Sequence, residues 1–77
     1  MKEIYLFGSY ARGEADENSD LDFLVYGGEK FKRTMIFALA EDLRETLEKK
    51  VDVFEISEVN PDSNFYKKIM KERVLVA

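Results

Sequence analysis

Apolar residues fall into several short runs and one long stripe along this chain. Glu3 to Phe7 is dense in apolar and aromatic residues and stops at Gly8, which predicts a strand. Leu21 to Tyr26, stopped by Gly27-Gly28, predicts a second. Between them Gly8 to Asp20 is polar, with Gly8 and Gly13 as breakers. It predicts a short helical turn from about Ser9 and then a loop. Phe31, Met35, Leu39, Leu43 and Leu47 recur at every fourth position, with Ile36 and Ala40 alongside. That spacing predicts an amphipathic helix from about Lys30 to Lys49, basic toward its C-terminal end. Val51 to Ile56 predicts a third strand. Phe65, Ile69 and Met70 mark a second helix, capped by Asp62 or Ser63 after the turn at Asn60-Pro61. Val74 to Ala77 predicts a last short strand. The order β, short α, β, α, β, α, β predicts an α/β fold, a small mixed β-sheet with helices packed on it.

Composition narrows the chemistry. Seventy-seven residues make one domain, 1–77, with a marginal core. The chain has no Cys and no His. That excludes disulfides, ordinary zinc sites, Ser-His-Asp triads and Cys-His nucleophiles. Carboxylates with a metal ion remain as catalytic tools. Twelve Lys and Arg against sixteen Asp and Glu give a net charge of −4. A nucleic-acid binder that tracks phosphates carries the opposite balance. The longest apolar run, Met35 to Ala40, is far too short to span a membrane, and no signal peptide opens the chain. These features predict a cytoplasmic protein without a membrane partner.

Three features distant in sequence are candidates for one site. Gly8-Ser9 ends the first strand, Asp20 and Asp22 open the second, and Asp52 opens the third. Strands two and three are joined by a long helix and are expected to run parallel, which puts Asp52 near Asp20 and Asp22. If strand one runs antiparallel to strand two, Gly8-Ser9 reaches the same edge. Residues i and i+2 of a strand point to one side, so Asp20 and Asp22 project together. Carboxylates gathered in this way suit Mg²⁺ or Mn²⁺. Gly8 lets backbone approach a ligand closely, and Ser9 with the N–H groups of a following turn can hold phosphate oxygens. Together they suit a nucleoside triphosphate. Each feature alone has a plainer origin. A lone Asp-x-Asp is usually solvated, Gly-Ser is usually a turn, and Arg12 more often pairs with a nearby Glu than with phosphate.

Two rival motifs fail. Gly8-Ser-Tyr-Ala-Arg-Gly13 begins like a P-loop, but Glu14 stands where Lys is required. Asp16, Asn18, Asp20 and Asp22 have calcium-loop spacing, but Leu21 replaces the turn glycine and Gly27 the final Glu.

Gly8-Ser9-Tyr10-Ala11-Arg12-Gly13, Ser19-Asp20-Leu21-Asp22-Phe23-Leu24-Val25 and Val51-Asp52-Val53 resemble the minimal nucleotidyltransferase family of the DNA polymerase beta-like superfamily. The resemblance runs from Ile4 to the C-terminus. It implies that Gly8 and Ser9 hold the triphosphate, with Arg12 assisting. It implies that Asp20 and Asp22 bind two Mg²⁺ or Mn²⁺ ions. Asp52 would help to hold one ion and activate the acceptor hydroxyl. Many members are antitoxins that transfer AMP from ATP to a tyrosine of a HEPN-domain ribonuclease toxin. The expected function is therefore a metal-dependent nucleotidyltransferase and antitoxin. A non-catalytic module that blocks a toxin by binding is the alternative. Transfer to RNA or a small molecule is weaker still, because relatives that do this carry extra domains. Family members usually carry a helix before the first strand, and this sequence lacks that helix. The sheet face it would cover is expected either to meet a partner chain, a second copy included, or to be packed differently from the family's.

Overall fold

The computed structural model describes residues 3–28 and 32–76. Strand β1 spans Glu3–Phe7 and β2 spans Leu21–Tyr26. Helix α1 spans Arg33–Leu47, β3 spans Val51–Glu55, and a short 3₁₀ helix covers Ile56–Glu58. Helix α2 spans Asn64–Glu72 and β4 is Val74–Leu75. The sheet order is β3-β2-β1-β4. As expected, β2 is antiparallel to β1 and parallel to β3. Strand β4 is antiparallel to β1.

Alternation along the strands divides the core into two layers. Phe7 and Leu24 face α2, where Ile69, Tyr66, Met70 and Val59 cover them. Leu21, Phe23 and Val51 face the other way, with Leu43 of α1, Ile4, Leu6 and Tyr10 around them. Leu24 and Val25 in the central strand have no exposed surface at all. No helix among the described residues is long and apolar enough to cross a membrane.

Element ends depart from the sequence pattern where capping decides. The turn after β1 is a single helical turn, Arg12 N–H donating to the Gly8 carbonyl at 3.1 Å. It closes at once, because Gly13 N–H returns to Tyr10 and Glu14 N–H to Ser9, with Gly13 at φ 72°. Helix α1 begins at Arg33 behind Lys32, which supplies no side-chain cap. The first part of its predicted span, Lys30 and Phe31, lies outside the described residues, as does Ala77. Its other end comes at Leu47, where Glu48 turns left-handed at φ 53°. Strand β3 stops one residue early. The Glu55 carboxylate, itself buried, bends back to accept from the Ser57 N–H and hydroxyl and starts the 3₁₀ turn.

The apolar stripe of α1 is only partly used. Ala40 is its one buried residue, Met35 and Leu47 remain in solvent, and Phe37, off the stripe, is 73% exposed. Helix α2 is better anchored. The Ser63 hydroxyl accepts from the Tyr66 N–H at 3.0 Å and caps the first turn. Ser63→Ala should cost about 1 kcal/mol. In a chain of this size that lowers the thermal midpoint by about 4–8 °C, measurable by circular dichroism.

Candidate active site

The register of β2 assembles the site. Phe7 lies opposite Asp22 on one side, and Asp52 lies opposite Asp22 on the other. Directly paired residues share a sheet face, so Asp22 and Asp52 lie on the face covered by α2. Leu21 and Phe23 belong to the opposite layer, as the spacing predicts. Gly8 follows Phe7 and adopts φ 79°. A Cβ at this position would stand 2.5 Å from Asp22 Oδ2. Only glycine brings the backbone this close to the carboxylate.

The turn that follows Gly8 offers donors. Arg12 N–H is used within it, but those of Ser9, Tyr10 and Ala11 have no partner among the described residues. These are the orphan groups of a first helical turn. The Ser9 hydroxyl is likewise unengaged among the described residues and lines a cavity of about 290 Å³. Gly8, Arg12 and Asp22 line it too, with Phe7, Phe54 and Phe65 as an aromatic wall. The three rings pack tilted or edge to face, their centroids 5.4–5.9 Å apart.

Asp22 titrates above its ordinary value of 3.8. Burial is the main cause, followed by the negative charges of Asp52 and Asp20, with Arg12 opposing them. The three carboxylates therefore share one electrostatic neighbourhood. They do not converge into a finished cage. Among the described residues no group of three acidic side chains is arranged to hold a metal ion. Asp52 is exposed and opens onto a second cavity, beside α1. Asp20 lies in the exposed segment before β2 and lines a third, polar cavity with Lys49 and Lys50. Like charges without a cation between them repel, and Asp20 is not held by the sheet. The donor set itself is all oxygen, as Mg²⁺ or Mn²⁺ prefers. The repulsion that raises Asp22 is what such a cation relieves.

Arg12 is already paired. One of its terminal nitrogens bonds both Glu72 carboxylate oxygens at 3.0 Å, and its Nε reaches Glu14 at 3.0 Å. Tyr10 packs beneath the Lys49 ammonium, 5.6 Å from the ring centre. Sequence reasoning missed Lys68 and Glu72, which line the Gly8–Ser9 cavity with Phe65 and Ile69. Their positions, Phe65, Lys68, Ile69 and Glu72, form one helical face at i, i+3, i+4 and i+7. That face carried the signal, but reading it for apolar residues alone passed over its charges.

Residues 1–77 match the family model described as polymerase beta, nucleotidyltransferase. The protein adenylyltransferase MntA of Thermococcus cleftensis is 38% identical over 76 residues, covering 99% of this chain and 75% of that protein. A Methanocaldococcus jannaschii relative named for the same activity is 37% identical over 75 residues, covering 97% of this chain and 73% of the relative. A chain in a crystal structure of a toxin-antitoxin with AMP-PNP superposes with a TM-score of 0.80 at 26% identity. That match covers 95% of this chain and 57% of the neighbour, so this chain spans well under two thirds of its length.

Two stability measurements probe the site. Gly8→Ala and Gly13→Ala both force a left-handed backbone, costing about 1–2 kcal/mol. A Cβ at Gly13 meets nothing within 4 Å, whereas one at Gly8 meets Asp22. Urea denaturation should show Gly8→Ala as the more damaging. Asp22 is raised in the folded state, so the folded protein binds its proton more tightly than the unfolded chain does. Its contribution is fully present below the unfolded value near 3.8 and is lost as pH rises through the raised folded value. Without divalent cations, Asp22→Asn should melt higher than wild type at pH 7, and the gain should vanish near pH 3.

Proposed function

The chain belongs to the polymerase beta nucleotidyltransferase family, and on that premise we propose that it transfers AMP from ATP to a hydroxyl of a partner protein. The observation that carries this reading is the Gly8 backbone lying against the Asp22 carboxylate, with Asp52 paired across β2. In this reading the backbone there binds phosphate and the carboxylates beside it bind metal. The most economical acceptor is a tyrosine of a HEPN-type toxin, for which this chain is the cytoplasmic antitoxin. Adenylyl transfer to a protein follows the relatives named protein adenylyltransferase, a toxin as partner follows the toxin-antitoxin neighbour, and the HEPN tyrosine is what the family resemblance implies.

Ser9 and the N–H groups of Ser9, Tyr10 and Ala11 hold phosphate oxygens in this mechanism. Asp20, Asp22 and Asp52 would hold two Mg²⁺ or Mn²⁺ ions. When bound, these ions stabilise charge on the attacking and leaving oxygens of an in-line displacement. Asp52 orients the acceptor hydroxyl and takes its proton. The acceptor oxygen bonds to the α-phosphorus as the bond to pyrophosphate breaks. Arg12 lines the same cavity as Ser9, with one terminal nitrogen on Glu72 and the other without a partner among the described residues. Positioning and charge neutralisation supply the catalysis, which needs no His or Cys.

A second reading, a module that blocks its toxin by binding alone, draws on two observations. Arg12 is engaged by Glu72 and Glu14, and no three acidic side chains are arranged as a metal site among the described residues.

With α-labelled ATP and Mg²⁺, wild type should label a co-expressed toxin. Asp20→Asn with Asp22→Asn should cut labelling about 100-fold or more. Labelling at the wild-type rate by the double variant would overturn the catalytic reading. Full toxin neutralisation by that variant would favour the second. In a separate measurement, Mg²⁺ should raise the melting temperature of wild type and leave the double variant unmoved.

A further inference from the structure

Four charged side chains line the cavity at Gly8 and Ser9. Asp22 and Glu72 are acidic, and Arg12 and Lys68 are basic. Arg12 has its charge shared between two carboxylates. It donates to both oxygens of Glu72 at 3.0 Å and to Glu14 at 3.0 Å. Lys68 differs. Glu72 lies four positions further along α2, within ordinary reach on a helix face, but both its oxygens already accept from Arg12. The Lys68 ammonium makes no hydrogen bond or ion pair among the described residues. Its place at the cavity is set by its helix. Ile69, the next residue, is 1% exposed and anchors α2 on the sheet, and the Ser63 cap starts the first turn. The turn after β1 thus brings Ser9 to the cavity, and α2 brings a cation to it.

We infer that Lys68 contacts the nucleotide, its ammonium binding the β- and γ-phosphates that leave as pyrophosphate. The inference rests on the adenylyl-transfer reading. It moves the main phosphate-binding cation from Arg12 on the turn to α2. A triphosphate enters this cavity against the negative charge of Asp22 and its neighbours. Backbone N–H groups and the Ser9 hydroxyl offer dipoles but no net charge. An unpaired ammonium on a flexible stem, with three donors, meets that need as a point charge. A monophosphate, lacking the outer phosphates, gains nothing from it. Lys67 supplies the comparison. It carries the same charge one residue earlier, is exposed, and does not line this cavity.

The full chain, with Mg²⁺ and without toxin, is titrated calorimetrically with ATP and separately with AMP. Lys68→Ala should weaken ATP binding about tenfold or more and leave AMP binding unchanged. Lys68→Arg should recover most of that loss, and Lys67→Ala should lose nothing. In label transfer, Lys68→Ala should raise the ATP KM by a similar factor at an unchanged toxin KM. Equal weakening of ATP and AMP, or an equal loss in Lys67→Ala, would overturn the inference. Wild-type ATP affinity in Lys68→Ala, with label transfer intact, removes this inference alone. ATP binding that depends on Lys68, without label transfer to a toxin, removes the catalytic reading beneath it. Failure of wild type to bind ATP overturns both.

Discussion

Strand β2 is hydrogen-bonded on both sides, antiparallel to β1 and parallel to β3, and this double pairing levels three distant segments. Phe7 and hence Gly8 arrive from one side, Asp52 from the other, and Asp22 lies between them. A slip of one residue in either pairing would turn Asp22 away from its neighbours and bring apolar side chains to the surface. The register is well protected against that. Leu24 and Val25, on opposite faces of the same strand, are wholly buried, so any slip exposes one layer or the other.

The electrostatics follow from this geometry. The sheet half-buries Asp22 and brings Asp52 beside it whether or not a counter-charge is present, and burial first, then the neighbouring charge, raises its titration. The protein answers with Arg12, but Arg12 is divided among Glu14, Glu72 and the acidic cluster. The net charge of −4 is thus unevenly placed. Part of it is concentrated where it opposes the folded state and suits a bound cation, an exchange of stability for function common at active sites.

Much of this was legible in the sequence. Apolar runs ended by glycine gave β1 and β2 to the residue, because glycine both stops a strand and begins a turn. The long linking stripe implied a helix, the helix implied parallel strands, and the parallel strands put Asp52 beside Asp22. The ends of α1 were not legible, because periodicity marks a face and no capping side chain marks where that face begins. The end of β3 was hidden too, since the bond from Glu55 to Ser57 is local polar chemistry inside an apolar run. The Glu72 partner of Arg12 lies sixty positions away, and nothing short of the tertiary fold brings them together.

Helix α1 is lightly secured. It starts without a side-chain cap, buries one residue, and packs chiefly on β3, itself an edge strand. Segments with so little buried apolar surface open locally far below the free energy of global unfolding. Amide protons of α1 are therefore expected to exchange ahead of those in the sheet. The sheet carries Gly8, Asp22 and Asp52, so α1 can shift locally while the register of the carboxylates holds.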